Sequence, residues 1–142
     1  VTTGAVTQRE PDVFTIADEA DLIRVRKVLR TEAEAVGLNL VDATKLITAG
    51  SELARNILYY ATGRRGRVGV ERVYLKGRRG VRATFADDGP GIENIEAALT
   101  DGFSTRGSLG LGLPGARRLV DDMTLTSVAG SGTTVVIVKW QR

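Results

Sequence analysis

The chain predicts an α+β fold, a two-layer α/β sandwich in which helices cover one face of a mixed, mostly antiparallel sheet. Three observations point there. The expected order is β, α, α, β, β, short α, loop, α, β, β, so strands come in runs separated by helices, without the regular βαβ alternation of a parallel sheet. Two pairs of strand-like segments are joined by glycine-bearing turns, Lys76-Gly77-Arg78-Arg79-Gly80 and Gly130-Ser131-Gly132, as hairpins require. The 142 residues, 42% hydrophobic and 26% charged, are enough for one core burying roughly two thirds of the unfolded surface.

Residues 1–11 are small and polar, end at Pro11 and are expected to form a loose tail, leaving 12–142 as the folded domain. Val13–Ile16 is β-branched and apolar, a first strand. Asp18 is placed to cap a helix whose stripe is Leu22, Val25, Val28, Leu29 and Val36, and Gly37 stops it. A second helix is expected from Asp42 to Ala61, with Gly63 as its stop. Its apolar arc is Leu46, Gly50, Leu53, Ala54, Ile57 and Ala61, and Glu52 and Asn56 share one flank a turn apart. Taken alone, that pair reads as an ordinary exposed i,i+4 contact. Strands follow at Val68–Leu75 and Val81–Asp87, the second alternating Val81, Ala83, Phe85 against Arg82, Thr84, Ala86. A short helix near Glu93–Leu99, a polar FSTRGS segment and a helix from Leu111 to Asp122 come next, Pro114 being tolerated in that helix's first turn. Thr124–Val128 and Thr133–Trp140 close the chain as a hairpin.

Composition narrows the chemistry. With neither histidine nor cysteine, a histidine-ligated metal, a phosphohistidine, a thiolate nucleophile and a cysteine zinc site are all excluded from this chain, so a general base has to be a carboxylate, a lysine or a tyrosine. No apolar run approaches the roughly 18 residues of a membrane span, and the expectation is a cytoplasmic protein without membrane contact. The net charge is +3, and basic clusters stand at Arg64-Arg65-Gly66-Arg67, Lys76-Gly77-Arg78-Arg79 and Arg117-Arg118. They read most simply as solvated turns and helix faces, since no aromatic residues are interleaved to stack bases. No nucleic-acid partner is expected.

Glycines concentrate between Asp87 and Val120, where bare backbone N–H groups can approach a phosphate. Gly110-Leu111-Gly112-Leu113-Pro114-Gly115 matches G-x-G-x-x-G, but no strand precedes it and no acidic residue ends a second strand about 20 residues on, so the dinucleotide reading fails. A Walker A pattern is absent. What survives is a set of glycines opening a helix whose N-terminal amides attract phosphate oxygens. At the other end, Asp87-x-Gly89-x-Gly91 places a carboxylate at a strand end. It can accept a hydrogen bond from the exocyclic amine of adenine, an interaction of roughly 1.5–3 kcal/mol that guanine, with a carbonyl there, cannot make. The same pattern is equally a structural turn. With a nucleotide in view, Asn56 suits Mg²⁺, which takes few protein oxygens beside water and phosphate, and Glu52 suits a general base.

Four segments, Glu52-Leu53-Ala54-Arg55-Asn56, Asp87-Asp88-Gly89-Pro90-Gly91, Gly107-Ser108-Leu109-Gly110-Leu111-Gly112 and Gly130-Ser131-Gly132-Thr133-Thr134, resemble in order the N, G1 and G2 boxes and closing Gly-x-Thr of the GHKL ATPase/kinase superfamily. The segments SELARNILYYA, DDGPGI, DGFSTRGSLGLGLPGARRLVDD and VAGSGTTVVIVKW resemble still more closely the RsbT-type serine/threonine switch kinases of the bacterial stressosome, over about residues 12–142. The resemblance implies a Bergerat-type ATP site and Mg²⁺-dependent phosphorylation of a STAS-domain antagonist in a partner-switching pathway, with a phosphatase of the PP2C type as a second partner. By position it implies Glu52 as base, Asn56 as magnesium ligand and Asp87 as adenine reader. It also implies Gly89, Gly91 and Ile92 at the adenine turn, Gly107, Ser108, Leu109, Gly110, Leu111 and Gly112 in the phosphate loop, and Thr133 in the nucleotide pocket. Phe103-Ser104-Thr105-Arg106 falls where the family has its ATP lid, so Arg106 is implied at phosphate, although it reads equally as a solvated arginine. Gly50 departs from the larger apolar residue expected in the helix, at a cost of roughly 1 kcal/mol relative to alanine, and suggests close helix packing. A nucleotide-gated binding module that sequesters a sigma factor or activates a phosphatase would use the same pocket without much catalysis.

Overall fold

The computed structural model describes residues 6–7, 12–60, 66–87, 112–128 and 132–142. Helix α1 (Glu19–Val36) begins at Asp18, whose Oδ1 accepts from the Ala20 and Asp21 amides while Asp21 Oδ2 accepts from the Asp18 amide at 3.1 Å. This reciprocal capping box satisfies the first free amides of the helix. The helix ends at Gly37, which turns left-handed at φ 80°. Helix α2 (Leu40–Tyr60) starts two residues before the expected Asp42. The reason is Asn39: its Oδ1 accepts from the Asp42 amide at 2.8 Å, its Nδ2 donates to Asp42 Oδ2, and its carbonyl already accepts from Ala43. The expected end at Ala61 and stop at Gly63 lie outside the described residues.

Strands β1 (Val6–Thr7), β2 (Asp12–Ile16), β3 (Gly66–Leu75), β4 (Arg78–Asp87), β5 (Asp122–Val128) and β6 (Gly132–Trp140) form one sheet in the order β1-β3-β4-β6-β5, with β2 also paired to β3. Every pairing among them is antiparallel, so the expected mixed character is absent from the described strands. The tail is corrected as well: Val6 and Thr7 pair with Tyr74 and Val73. The β3–β4 connection is tighter than the five-residue turn expected. Only Lys76 and Gly77 lie in it, at φ 49° and 83°. Two left-handed residues make the tight hairpin turn whose twist matches that of the strands, and this carries pairing on to Leu75–Arg78.

Helix α3 (Gly112–Leu119) holds Pro114 in its first turn, as expected, but ends before the predicted Asp122. Asp121 and Asp122 are drawn off by Trp140: its amide donates to Asp121 Oδ2 at 2.7 Å and its indole Nε1 donates to Asp122 Oδ2 at 3.3 Å. The short helix expected at 93–99 lies outside the described residues.

The core lies between the sheet and the helices. Val68, Val70, Val81, Ala83, Phe85, Val135 and Ile137 meet Val25, Leu29, Val36, Leu46, Leu53 and Ile57 there, and α1 and α3 both pack against α2. Gly50 belongs to this packing: a Cβ there would stand 2.3 Å from Leu29 Cδ1 and 3.4 Å from Phe85 Cζ. The propensity cost of glycine is therefore exchanged for close approach of α2 to both α1 and β4. A smaller cluster of Val73, Val138 and Trp140 forms apart from this core.

Two buried ionic groups tie the layers together. Glu32 on α1 accepts from Arg72 on β3 at 2.8 and 3.4 Å, and this bond holds the guanidinium above its already high ordinary pKa. Lys139 Nζ lies 3.6 Å from Asp42 and 3.7 Å from Asp121, joining the start of α2 to the turn after α3. Arg142 reaches the same two carboxylates.

Candidate nucleotide site

The described residues expected to bind nucleotide come from four elements, α2, β4, α3 and β6. The site is built from β4 outward. Asp87 is the last residue of β4 and, like Val81, Ala83 and Phe85, lies on the helix-facing side of the sheet. Its cross-strand partner on β6 is Thr133, on the same face. Directly opposed residues of an antiparallel pair hold their Cβ atoms about 4.5–5.5 Å apart, so carboxylate and hydroxyl form one polar floor. The Thr133 hydroxyl is oriented by Ser127 on β5, whose Oγ lies 3.1 Å away and also donates to the Gly132 carbonyl at 3.3 Å. Ser127 was not expected in this role; the expected hairpin sets its strand beside that of Thr133, and the register and the bond come from the structure.

Asp87 pairs on its other side with Gly66 of β3. Gly66 is the second residue missed by sequence reading, where it sat within a basic run. A Cβ at Gly66 would stand 2.0 Å from Ile57 Cγ2 and 3.2 Å from the Ala86 carbonyl oxygen. Glycine here lets α2 lie directly on the strand ends at the turn that carries Asn56 and Ile57. Ile57, Gly66, Asp87 and Thr133 thus form a continuous line from helix to floor.

On α2, Glu52 and Asn56 are both partly buried and one turn apart on the flank beside the apolar arc of Leu46, Gly50, Leu53, Ala54 and Ile57. The following turn is fastened to α1, since the Tyr59 hydroxyl donates to Glu19, a bond that raises the phenol pKa above its ordinary value. Arg55 stands 6.0 Å from the Tyr59 ring. The helix presenting Glu52 and Asn56 is therefore fixed by core packing below and by the Tyr59 clamp at its end.

The fourth element is α3. Gly112 opens it at φ 44°, a left-handed conformation suited to glycine, and Pro114, Gly115 and Ala116 are buried behind it. Of the phosphate-loop residues, Gly112 is described and stands at the N-terminus of a helix packed on α2. Gly89, Gly91, Ile92, Arg106, Gly107, Ser108, Leu109, Gly110 and Leu111 lie outside the described residues. Among those described, no three His, Cys, Asp or Glu side chains gather as a metal centre. No described helix is long and apolar enough to cross a membrane.

Residues 41–142 match the family model described as histidine kinase-, DNA gyrase B-, and HSP90-like ATPase. The serine/threonine-protein kinase RsbT of Bacillus subtilis is 45% identical over 127 residues, covering 89% of this chain and 94% of that protein. Among solved structures, the RsbU and RsbW domains of a Mycobacterium tuberculosis protein match with a TM-score of 0.62 at 22% identity. That match covers 94% of this chain, which spans 33% of the length of that one. The mycobacterial sensor histidine kinase MprB matches at TM-score 0.52 and 20% identity, covering 93% and 98% of the two chains. The two structures share the fold: an antiparallel sheet backed by helices. With the family model covering most of the chain and a relative similar along nearly its whole length, the chain belongs to the histidine kinase-, DNA gyrase B- and HSP90-like ATPases, in their RsbT-type serine/threonine-protein kinase branch.

Proposed function

We propose that this chain binds Mg-ATP between α2, the β4 end and the start of α3, and phosphorylates a serine or threonine of a STAS-domain antagonist in a cytoplasmic partner-switching pathway. The observation carrying this reading is the 45% identity along 89% of the chain to a serine/threonine-protein kinase. The joining of the α2 turn at Asn56 to Asp87 and Thr133 through Gly66 supports it. Asp87 accepts a hydrogen bond from the adenine amine, with Thr133 beside it. The glycines through Gly112 offer backbone amides to the phosphates at the start of α3. Asn56 would supply one oxygen to a magnesium ion, whose chemistry when bound would be to neutralise charge developing on the phosphates. Glu52 accepts the proton of the incoming hydroxyl as its oxygen bonds to the γ-phosphorus and the bond to the β–γ bridging oxygen breaks, leaving ADP. A positioned base of this kind contributes about 10²–10⁴ in rate. The dephosphorylated antagonist and a phosphatase of the PP2C type are the two partners in this reading.

The test is Glu52→Ala with radiolabelled ATP and the purified STAS protein. Transfer should fall by at least about 10² while ATP affinity stays near that of the unaltered protein. Unchanged transfer removes Glu52 from the mechanism. A stoichiometric complex that forms without phosphoprotein, in the unaltered chain, would instead favour a nucleotide-gated binding module.

A further inference from the structure

The end of the molecule opposite the proposed site carries a surface that phosphotransfer does not use. There the α1–α2 corner, the β3–β4 hairpin tip and the C-terminal residues converge. The Gln141 amide donates to the Arg79 carbonyl at 2.8 Å, and Gln141 Nε2 and Arg79 Nη2 lie 2.8 and 3.9 Å from where a Gly37 Cβ would stand. Leu40 and Val41 follow that corner and are 82% and 62% exposed. They face outward because Asn39 caps the helix through Asp42, which fixes both in the first turn away from the core. Folding therefore gives no reason for apolar side chains at these positions.

Charge is sorted at the same end. Asp42 and Asp121 are turned inward onto Lys139 and Arg142. Lys45, Lys76, Arg78 and Arg79 are exposed, and none has a carboxylate within ion-pairing distance among the described residues. The tip is also short. Its turn has two residues, and the Arg78 guanidinium lies 5.6 Å from the centroid of the buried Trp140 ring. Exposed cations beside exposed aliphatic side chains match an interface with an apolar centre and a charged rim.

We propose that this surface docks an acidic segment of a partner protein, one presenting Asp or Glu to Lys76 and Arg79 and an apolar side chain to Leu40 and Val41. A protein is favoured over a polyanion because Leu40 and Val41 gain only from a partner that excludes water from them. Leu40 precedes Glu52 by twelve residues, about 18 Å along α2, so a partner held here leaves the nucleotide end open. The choice of candidate partners rests on the proposed function; the surface itself does not.

Two variants of the full chain test it, Lys76→Glu/Arg79→Glu and Leu40→Ser/Val41→Ser, each checked by thermal melting. The probes are the purified STAS-domain protein and the PP2C-type phosphatase, titrated separately at low and high salt, with ATP affinity measured in parallel. For one of the two, affinity should fall about tenfold or more in each variant, with ATP affinity unchanged. The salt dependence should flatten in the charge-reversed variant, and a Glu→Lys change in the partner should restore binding to it. Equal affinities across all three forms, or no binding of either probe to the unaltered chain, overturn the proposal. So does a loss in the variants confined to anionic vesicles or duplex DNA, which would assign the surface to lipid or nucleic acid. Absence of phosphotransfer in the unaltered chain would count against the kinase reading alone, loss of transfer in the variants with both affinities intact would count against this surface, and loss of docking with Glu52-dependent transfer to free substrate retained supports it.

Discussion

Replacing Gly66 with alanine places a methyl group 2.0 Å from Ile57 Cγ2, well inside van der Waals contact, and 3.2 Å from the Ala86 carbonyl oxygen. Neither neighbour yields easily. Ile57 is β-branched, so its χ1 in a helix has one strongly preferred setting, and it is 5% exposed in the main core. The carbonyl is backbone. The strain has to be relieved by lifting α2 from β3, at an overpacking cost of about 1–3 kcal/mol. Ile57→Ala alone removes Cγ2 and leaves a cavity, costing about 2–5 kcal/mol. In the double variant the alanine methyl occupies part of the vacated space, with Ile57's Cβ position still 3.2 Å away. Its cost should therefore fall short of the sum by about 1–2 kcal/mol, within the range seen for residues in contact. Urea unfolding of the four proteins measures this, provided the m-values agree. Gly69→Ala is the control, because the nearest atom to its Cβ is Val13 Cγ2 at an ordinary 3.5 Å; there the change should be neutral or stabilising by up to about 1 kcal/mol. Additivity within about 0.5 kcal/mol, or a Gly66→Ala effect no larger than that of Gly69→Ala, would refute the close approach that brings α2 over Asp87.

Other consequences can be measured separately. Asp87→Asn should weaken ATP binding by roughly tenfold or more, since it exchanges a charged acceptor worth about 1.5–3 kcal/mol for a neutral amide; calorimetry showing unaltered affinity would remove Asp87 as the adenine reader. Arg72→Met leaves Glu32 buried without its guanidinium, Glu32 being 3% exposed against 30% for Arg72, and should cost about 3 kcal/mol. Glu32→Leu/Arg72→Met should recover most of that loss in chemical denaturation. Because the Glu19 bond raises the Tyr59 pKa above 10.0, its stabilisation is fully present below pH 10 and is lost as pH rises through the higher folded value. Ultraviolet titration should accordingly show one tyrosine ionising late, and Tyr59→Phe should abolish that component.

Local chemistry was legible wherever one short segment decides the outcome. Asp18 and Gly37 bound α1 as their types predict, the Val81/Ala83/Phe85 alternation marks the buried face of β4, and Pro114 falls in the first turn of α3. Boundaries moved where a competing local partner acted. Asn39 began α2 early, and left-handed Lys76 shortened the hairpin turn. The end of α3 moved because Trp140, 18 and 19 residues beyond Asp122 and Asp121, claims both carboxylates. Gly50 was flagged as a site of close packing, and Leu29 and Phe85 are what it admits.

By itself the sequence determined the element types, the absence of histidine and cysteine chemistry, and the spacing of Glu52 to Asn56, because turns, caps and periodicity act over a few residues. Only the tertiary structure decided that β1 and β2 share the β3 edge, that Ser127 orients Thr133, and that Ile57 rests on Gly66 beside Asp87. Those facts depend on atoms far apart in the chain meeting within a few ångströms, where a single methyl group changes which packing is possible.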